Sequence, residues 1–305
     1  MASEKYQKLR ALLESYGSCL VAYSGGVDSV FLACVANDVL GTKALAAIAD
    51  SRSLPRRELD EALAIAARFK FPVRVVHTLE FDNPSYLANP NNRCYFCKHE
   101  LFTELAPLAT AEGFSVLAYG ENASDVGDFR PGAQAAAEFQ VRAPLKEAGL
   151  TKTEIRELSA QLGLPTADKP QMACLSSRIP YGEPVTPEKL RMIEEAENTL
   201  RDLGFYDVRV RHHELASGPK TAIAPGSLEP ASFSQLAPPL IHLARIEVGA
   251  TEMSKLLQNG ATAKVAEALR KIGYGHVTLD LLGYRRGSVN EDLQSKTLKA
   301  ETLKH

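Results

Sequence analysis

The sequence has no surplus of charge of either sign: 35 Lys and Arg stand against 37 Asp and Glu, a formal net charge of −2. That balance excludes a whole-molecule field drawing in nucleic acid or an anionic membrane and leaves only local basic patches for such partners. Long hydrophobic runs are missing too. No stretch approaches the roughly 18 apolar residues of a spanning helix, and Met1-Ala2-Ser3-Glu4-Lys5 lacks the apolar segment of a secretory signal, so a cytoplasmic protein without membrane contact is expected. Cysteine is scarce, five in 305 residues, odd in number and unevenly spaced. A disulfide scaffold is thereby excluded, which leaves reduced thiols, metal ligands or nucleophiles. Internal repeats are absent. What is present is globular: 45% hydrophobic and 24% charged residues, in a chain long enough for one large domain and a partner.

Short apolar runs alternate with amphipathic stretches over the first 170 residues, as when crossover helices join parallel strands. The expected fold class is α/β, a doubly wound parallel sheet with a second, smaller α+β domain. Strands are expected at Cys19–Tyr23, Ala44–Ala49, Val73–Val76 and Val116–Tyr119, and helices at 30–40, 56–69 and 96–111. Thr151 with Glu154 forms a capping-box signature opening a further helix. Thr186-Pro187 starts another, running to about Leu203. Strands follow at Val208–Val210, Ile241–Val248 and Val277–Leu281, with helices over roughly 252–257 and 263–272. The boundaries are a first domain over 1–172, a linker over 173–184 and a second domain over 185–305. From Glu214 to Leu240 five prolines and few charges predict an irregular insertion.

Ser24-Gly25-Gly26-Val27-Asp28-Ser29 lies between an expected strand and an expected helix, where free backbone N–H groups and the helix dipole favour an anion. Gly25 and Gly26 permit close backbone approach, and Ser24 and Ser29 add hydroxyls. Neither Gly-x-x-x-x-Gly-Lys-Ser/Thr nor Gly-x-Gly-x-x-Gly occurs, which removes Walker-type phosphoryl transfer and hydride transfer. The hexapeptide resembles the pyrophosphate loop of the ATP pyrophosphatase superfamily. The resemblance implies an adenine nucleotide alpha hydrolase-like (HUP) sheet that binds ATP and releases pyrophosphate as it adenylates an oxygen. It also implies Mg2+, with Asp28 as the candidate carboxylate. Gly120-Glu121-Asn122-Ala123-Ser124-Asp125 resembles a second nucleotide element, at the carboxyl end of a strand where open α/β sheets bind ligands. Gly120, Asn122, Asp125 and Arg130 are therefore ATP-site candidates.

Cys94 and Cys97 form a C-x-x-C, with Cys174 distant in sequence; Cys19 and Cys34 fall inside a core strand and helix. A lone C-x-x-C is compatible with redox work or half a zinc site, but no second C-x-x-C supplies the rest. Three thiolates on a four-iron cluster would leave one iron without a protein ligand, an open place for sulfide.

Asn92-Arg93-Cys94-Tyr95-Phe96-Cys97-Lys98, the Arg130-Pro131-Gly132 turn, Ala173-Cys174-Leu175-Ser176-Ser177-Arg178 with Pro180-Tyr181-Gly182, and Val208-Arg209-Val210-Arg211 together resemble the LarE family, from about residue 15 to about 290. The resemblance implies a sulfur transferase of nickel-pincer nucleotide biosynthesis, serving lactate racemase. ATP adenylates a carboxylate of pyridinium-3,5-biscarboxylic acid mononucleotide and sulfur displaces AMP, twice. Adenylation is needed because a carboxylate is a poor electrophile. Family members either sacrifice one cysteine's sulfur or hold a 4Fe-4S cluster on three; Cys94, Cys97 and Cys174 match the second kind. Cys174 alone would become dehydroalanine under the first.

A substrate with a phosphate and carboxylates needs arginine forks. Arg209 and Arg211 alternate with valines and so share one strand face. The resemblance adds Ser177, Arg178, Glu197, Arg245 and Glu247 to the substrate region, and implies a homo-oligomer, a hexamer, fed by an unidentified sulfide donor. The alternatives are ordinary: a solvated strand face for the arginines and a helix-surface charge for Glu197. An iron–sulfur tRNA thiolase is the rival enzyme, opposed by the absence of a zinc ribbon, an RNA-binding module or positive charge. An amidating synthetase would leave the three thiols without a role, and a nucleotide sensor would bind ATP without turnover.

Overall fold

A computed structural model describes residues 2–125, 131–171, 173–216, 240–258 and 260–285. The described chain forms two compact units, the first reaching Leu175 and taking in Tyr181–Thr186, the second comprising Ser176–Pro180 and the residues from Pro187 onward.

In the first unit, β1 (Cys19–Tyr23) is buried at every residue, as a strand covered on both faces must be. It pairs in parallel with β2 (Ala44–Asp50) on one side and β4 (Val116–Tyr119) on the other, and β3 (Val73–His77) lies outside β2, giving the order β3-β2-β1-β4. The helices are α1 (Ala2–Tyr16), α2 (Val27–Leu40), α3 (Arg56–Phe69), the short α4 (Pro84–Leu87), α5 (Arg93–Ala111), α6 (Pro131–Glu138), α7 (Pro144–Glu147) and α8 (Lys152–Gln161). One face of the sheet packs Val21 and Ile48 on Leu9, Phe31, Ile65 and Ile155. The other packs Leu20 and Ala47 on Phe102, Leu105 and Ala135. Helices on both faces of an all-parallel sheet make the doubly wound α/β class. Strand order reverses between β1 and β4, which opens a crevice beyond their carboxyl ends.

Two expectations need correction. Pro131 opens α6 rather than sitting in a turn with Gly132, because proline at the first helical position sacrifices no hydrogen bond. Gly132 then packs against α5, where a Cβ would come within 2.9 Å of Lys98 Cγ. Arg130 lies outside the described residues. The Glu214–Leu240 insertion is not irregular throughout: Glu214, Leu215 and Ala216 extend one strand and Leu240 begins the next, with Ala216 opposite Leu240. Cross-strand pairing carries the ladder past the point where the alternation of Val208–Arg211 stops; residues 217–239 lie outside the described residues.

The second unit is a mixed sheet of β5 (Val208–Ala216), antiparallel to β6 (Leu240–Val248), with β7 (His276–Leu279) parallel to β6. Helices α9 (Pro187–Asp202), α10 (Met253–Leu256) and α11 (Ala261–Ile272) complete it. Its core joins Ala196 and Leu200 of α9 to Val208, Val210, Ile246 and Leu269. Among the described residues no helix is long and apolar enough to cross a membrane.

The expected capping box is present at α8. Thr151 Oγ1 accepts from Glu154 N, and Glu154 returns the bond to Thr151 N at 2.9 Å while pairing with Lys5 at 2.8 Å. The Lys5 bond and the Thr151 backbone bond bring the Glu154 carboxyl down to about 2 from an ordinary 4.5. A depressed carboxyl stabilises the fold fully above its unfolded pKa. That contribution is therefore lost as pH falls from about 4.5 through about 2. Urea unfolding at pH 7 and pH 3 should show it, and Glu154→Gln should flatten that acid limb.

Candidate functional site

The Ser24–Gly26 turn, expected to be a nucleotide loop, joins β1 to α2. Gly25 has φ +70, and a Cβ there would lie 2.7 Å from Ala62 Cβ, so a side chain would both strain the backbone and strike α3. Gly26 caps α2 with extended backbone. Ser29 Oγ donates to Gly26 O at 3.1 Å and accepts from Ser24 N at 3.2 Å, holding the loop closed on itself. Val27 and Ser29 are buried, whereas Ser24 faces out. Gly120, just past β4, lies against the loop: a Cβ would approach Ser29 N to 3.1 Å and Asp28 C to 3.2 Å. Beyond it Asn122 Oδ1 accepts from Ser124 N at 2.9 Å and Asp125 Oδ2 from Asn122 N at 3.1 Å, so both buried side chains brace the turn. The sequence-derived halves of this site therefore meet at the switch point.

Lysines missed from the sequence complete the surroundings. Lys152 Nζ stands 2.6 Å from Asp28 Oδ2. Burial raises the Asp28 carboxyl, Lys152 pulls it down and Asp125 adds to the rise. Lys169 lies 2.7 Å from Glu58, 3.0 Å from Glu61 and 3.5 Å from the Gly25 carbonyl, tying the far end of the unit to the loop. Neither lysine belongs to a recognisable motif; the only local signals are the helix start at Thr151 and the Asp168-Lys169-Pro170 turn.

The three thiols gather in the same unit. Cys94 and Cys97 sit three residues apart in the first turn of α5, hence on one side of it. Cys174 precedes Leu175, whose N–H donates to Ser53 O at 2.8 Å in the turn after β2. Glu80, after β3, accepts from Ser51 of that turn. The residue next to Cys174 is thus tied to the turn after β2, one strand away from the Ser24–Ser29 loop after β1, and neighbouring strands are about 4.8 Å apart.

Burial pushes the Cys97 thiol up, and Cys174, Glu80 and Cys94 push it further. Cys94 has an exposed residue surface, yet crowding around its sulfur and the nearby Cys174 raise its thiol as well, against Arg93 and Lys98. Buried Arg93 senses both Cys174 and Cys94, so a cation stands beside the group. Three thiols grouped beside a buried guanidinium are, by donor chemistry, a set that iron–sulfur clusters take.

The remaining sequence-derived residues gather in the second unit, and none behaves as a solvated charge. Arg178 and Glu197, both fully buried, pair through Nε–Oε1 at 2.8 Å and Nη2–Oε2 at 3.1 Å. Glu197 also accepts from Arg201 at 3.2 Å and from the edge-strand N–H of Val210 at 3.1 Å. Its position four residues after Ile193 and three before Leu200, on the apolar face of α9, was the available sign of burial. Arg211 donates to Glu247 at 2.9 Å and to Ser177 O at 2.9 Å. Arg245, half-buried, lies 3.4 Å from Glu247 and 3.5 Å from Asp280. Arg209 stacks over Tyr284 at 4.6 Å, and burial followed by neighbouring Arg178 holds its guanidinium below the ordinary value. Among the described residues six arginines, Arg285 included, thus face four carboxylates in one group. Guanidiniums crowding one another in a buried place gain from an added anion.

No family model matches the chain. A pyridinium-3,5-bisthiocarboxylic acid mononucleotide synthase from Lactiplantibacillus plantarum is 30% identical over 296 residues, 96% of each chain. An uncharacterized protein from Synechocystis sp. is 41% identical over 293 residues, 96% of this chain and 99% of the relative. Another, from Methanocaldococcus jannaschii, is 27% identical over 195 residues, 64% of this chain and 74% of the relative.

Proposed function

The chain belongs to the LarE family, that of the pyridinium-3,5-bisthiocarboxylic acid mononucleotide synthases, and we propose that it is an ATP-dependent sulfur transferase making such a bisthiocarboxylate. The observation that carries this reading is that the Ser24–Ser29 loop and all three thiols lie in one compact unit, with Cys174 next to a residue tied to the turn after β2.

ATP lies along the loop, its departing pyrophosphate held by the N–H groups opening α2 and by the Ser24 and Ser29 hydroxyls. Asp28, with Asp125 nearby, offers the hard oxygen donors that suit Mg2+, and Lys152 offsets the charge of Asp28. A carboxylate oxygen of the pyridinium dicarboxylate attacks the α-phosphorus, the bond to pyrophosphate breaks, and the carboxyl carbon gains AMP as leaving group. A sulfur nucleophile then takes AMP's place, and a second round converts the other carboxylate. Cys94, Cys97 and Cys174 would hold a 4Fe-4S cluster whose remaining iron has no protein ligand, and that open iron supplies a place to carry sulfide. Arg93 balances the charge of the thiolates. The arginine group of the second unit, with Ser177, offers the guanidinium forks that phosphate and carboxylate groups take. A homo-oligomer, a hexamer by family likeness, belongs to the same proposal, and light scattering should give its mass.

Protein purified without oxygen, then supplied with ATP, Mg2+, sulfide and pyridinium-3,5-biscarboxylic acid mononucleotide, tests the reading. Expected are stoichiometric iron and sulfide, substrate-dependent pyrophosphate release, thiocarboxylate product over several turnovers and an unchanged protein mass. Pyrophosphate release indifferent to the dicarboxylate would overturn it, and a metal-free protein lighter by the mass of hydrogen sulfide would replace the cluster with sacrifice of Cys174. Gly25→Val should slow pyrophosphate release about 100-fold, the usual effect of displacing reacting groups by about 1 Å, with the fold retained by circular dichroism.

A further inference from the structure

A second set of potential metal ligands lies apart from the arginine group, on the sheet of the second unit. His212 and Glu214 are two residues apart on β5 and so project from one face. His242 on β6 stands directly opposite Glu214 in the antiparallel register. Strand pairing alone therefore brings one ligand atom of each residue within 4.8 Å of the other two, with His212 buried and its two partners half-buried.

The local geometry is that of a ligand set. His212 Nε2 is 3.1 Å from His242 Nδ1. Two imidazole nitrogens at that distance cannot both carry a proton, so at least one lone pair faces the gap. Tetrahedral ligation with Zn–N bonds of about 2.0–2.1 Å puts ligand nitrogens about 3.3 Å apart, so the rings need to separate by only a few tenths of an ångström. The opposite nitrogen of His212, Nδ1, lies 3.2 Å from the hydroxyl of buried Tyr274. A partner there fixes which nitrogen is left for an ion, as outer-shell groups do around metal-bound histidines. Lys189 Nζ, 2.9 Å from Glu214 Oε2, orients the carboxylate.

We propose that His212, Glu214 and His242 bind one divalent ion of the zinc class, joining β5 to β6 beside Ala216 and Leu240, where the described chain leaves the sheet and re-enters it. Two imidazoles with one carboxylate suit zinc, nickel or cobalt and are a poor match for calcium or magnesium, which take oxygen ligands. The site is independent of the thiol group and of the reaction proposed above.

The test is anaerobic titration of the full chain, untagged and with Cys94, Cys97 and Cys174 replaced by Ser, with Co2+ and then Zn2+. Expected are one cobalt per chain, visible d–d bands without sulfur-to-metal charge transfer, displacement by zinc, and a melting midpoint that rises with zinc concentration. Glu214→Gln and His242→Gln should each weaken binding at least about tenfold, the loss that even an outer-shell change produces. Exposed His276→Gln should leave binding unchanged. Circular dichroism of the metal-free variants reports whether each has folded, and both positions are only half-buried. The proposal is overturned if no stoichiometric cobalt or zinc binds, or if binding survives both substitutions in folded protein; the cluster is then a hydrogen-bonded His–His–Tyr group and nothing more.

Discussion

Replacing Cys97 by alanine is expected to abolish thiocarboxylate formation and most of the bound iron while ATP-dependent pyrophosphate release continues. In the proposed reaction adenylation uses the loop after β1, whereas Cys97 lies on α5 and serves only the sulfur step. Its sulfur shares its surroundings with Cys94 and Cys174, and burial followed by those neighbours holds its proton on. A thiol must lose that proton to bind iron. Because the thiols of Cys97 and Cys94 are both raised from the ordinary 9.0, iron loading should release protons and become more favourable as pH rises. Iron and acid-labile sulfide content, measured after reconstitution at several pH values, checks this. Cys94→Ala should behave like Cys97→Ala, and Cys19→Ala, in the core of β1, should not. Multiple turnover in either C-x-x-C variant would contradict the cluster reading. Loss of product confined to Cys174→Ala would point to Cys174 as the donor.

Glu197→Ala should destabilise the protein by about 3–5 kcal/mol, the usual result of removing one partner of a buried ion pair. Native proteins have only about 5–15 kcal/mol in all, so the midpoint of guanidinium unfolding should fall sharply. The cost arises because Arg178 would be left buried without its carboxylate and Val210 N–H without an acceptor. Burial works against the Glu197 charge, but Arg178, Arg201 and Arg209 prevail and hold its carboxyl below the ordinary 4.5. This stabilisation is therefore complete above about pH 4.5 and is lost as pH falls through the lower folded value. Glu197→Gln, which keeps an acceptor and the shape, should cost less and lose that pH dependence. Equal stability of Glu197→Ala and parent would show that the pair contributes nothing.

Much of the first unit was legible from the chain because its signals are local. Cys19–Tyr23, Arg56–Phe69 and Val116–Tyr119 fold over the residues their periodicity marks, and Thr151 with Glu154 makes the capping box its spacing implies. The glycines at 25 and 26 also marked the tight strand-to-helix turn that the fold contains, with Gly25 at φ +70 against Ala62. What was not legible depends on partners distant in sequence. Glu214–Ala216 become strand because β6 lies opposite, and Pro131 opens a helix that packs on α5. Lys152 reaches Asp28 across 124 positions and Lys169 reaches Gly25 across 144.

Residue order was sufficient for the class of the fold and for the family, because periodicity and short motifs act over a few residues. Folding in three dimensions was required to turn Glu197 and the arginines from surface charges into a buried network, to anchor Cys174 beside the turn after β2, and to put His242 opposite Glu214. Burial and proximity arise from packing between segments far apart along the chain, and neither is a property of any one segment.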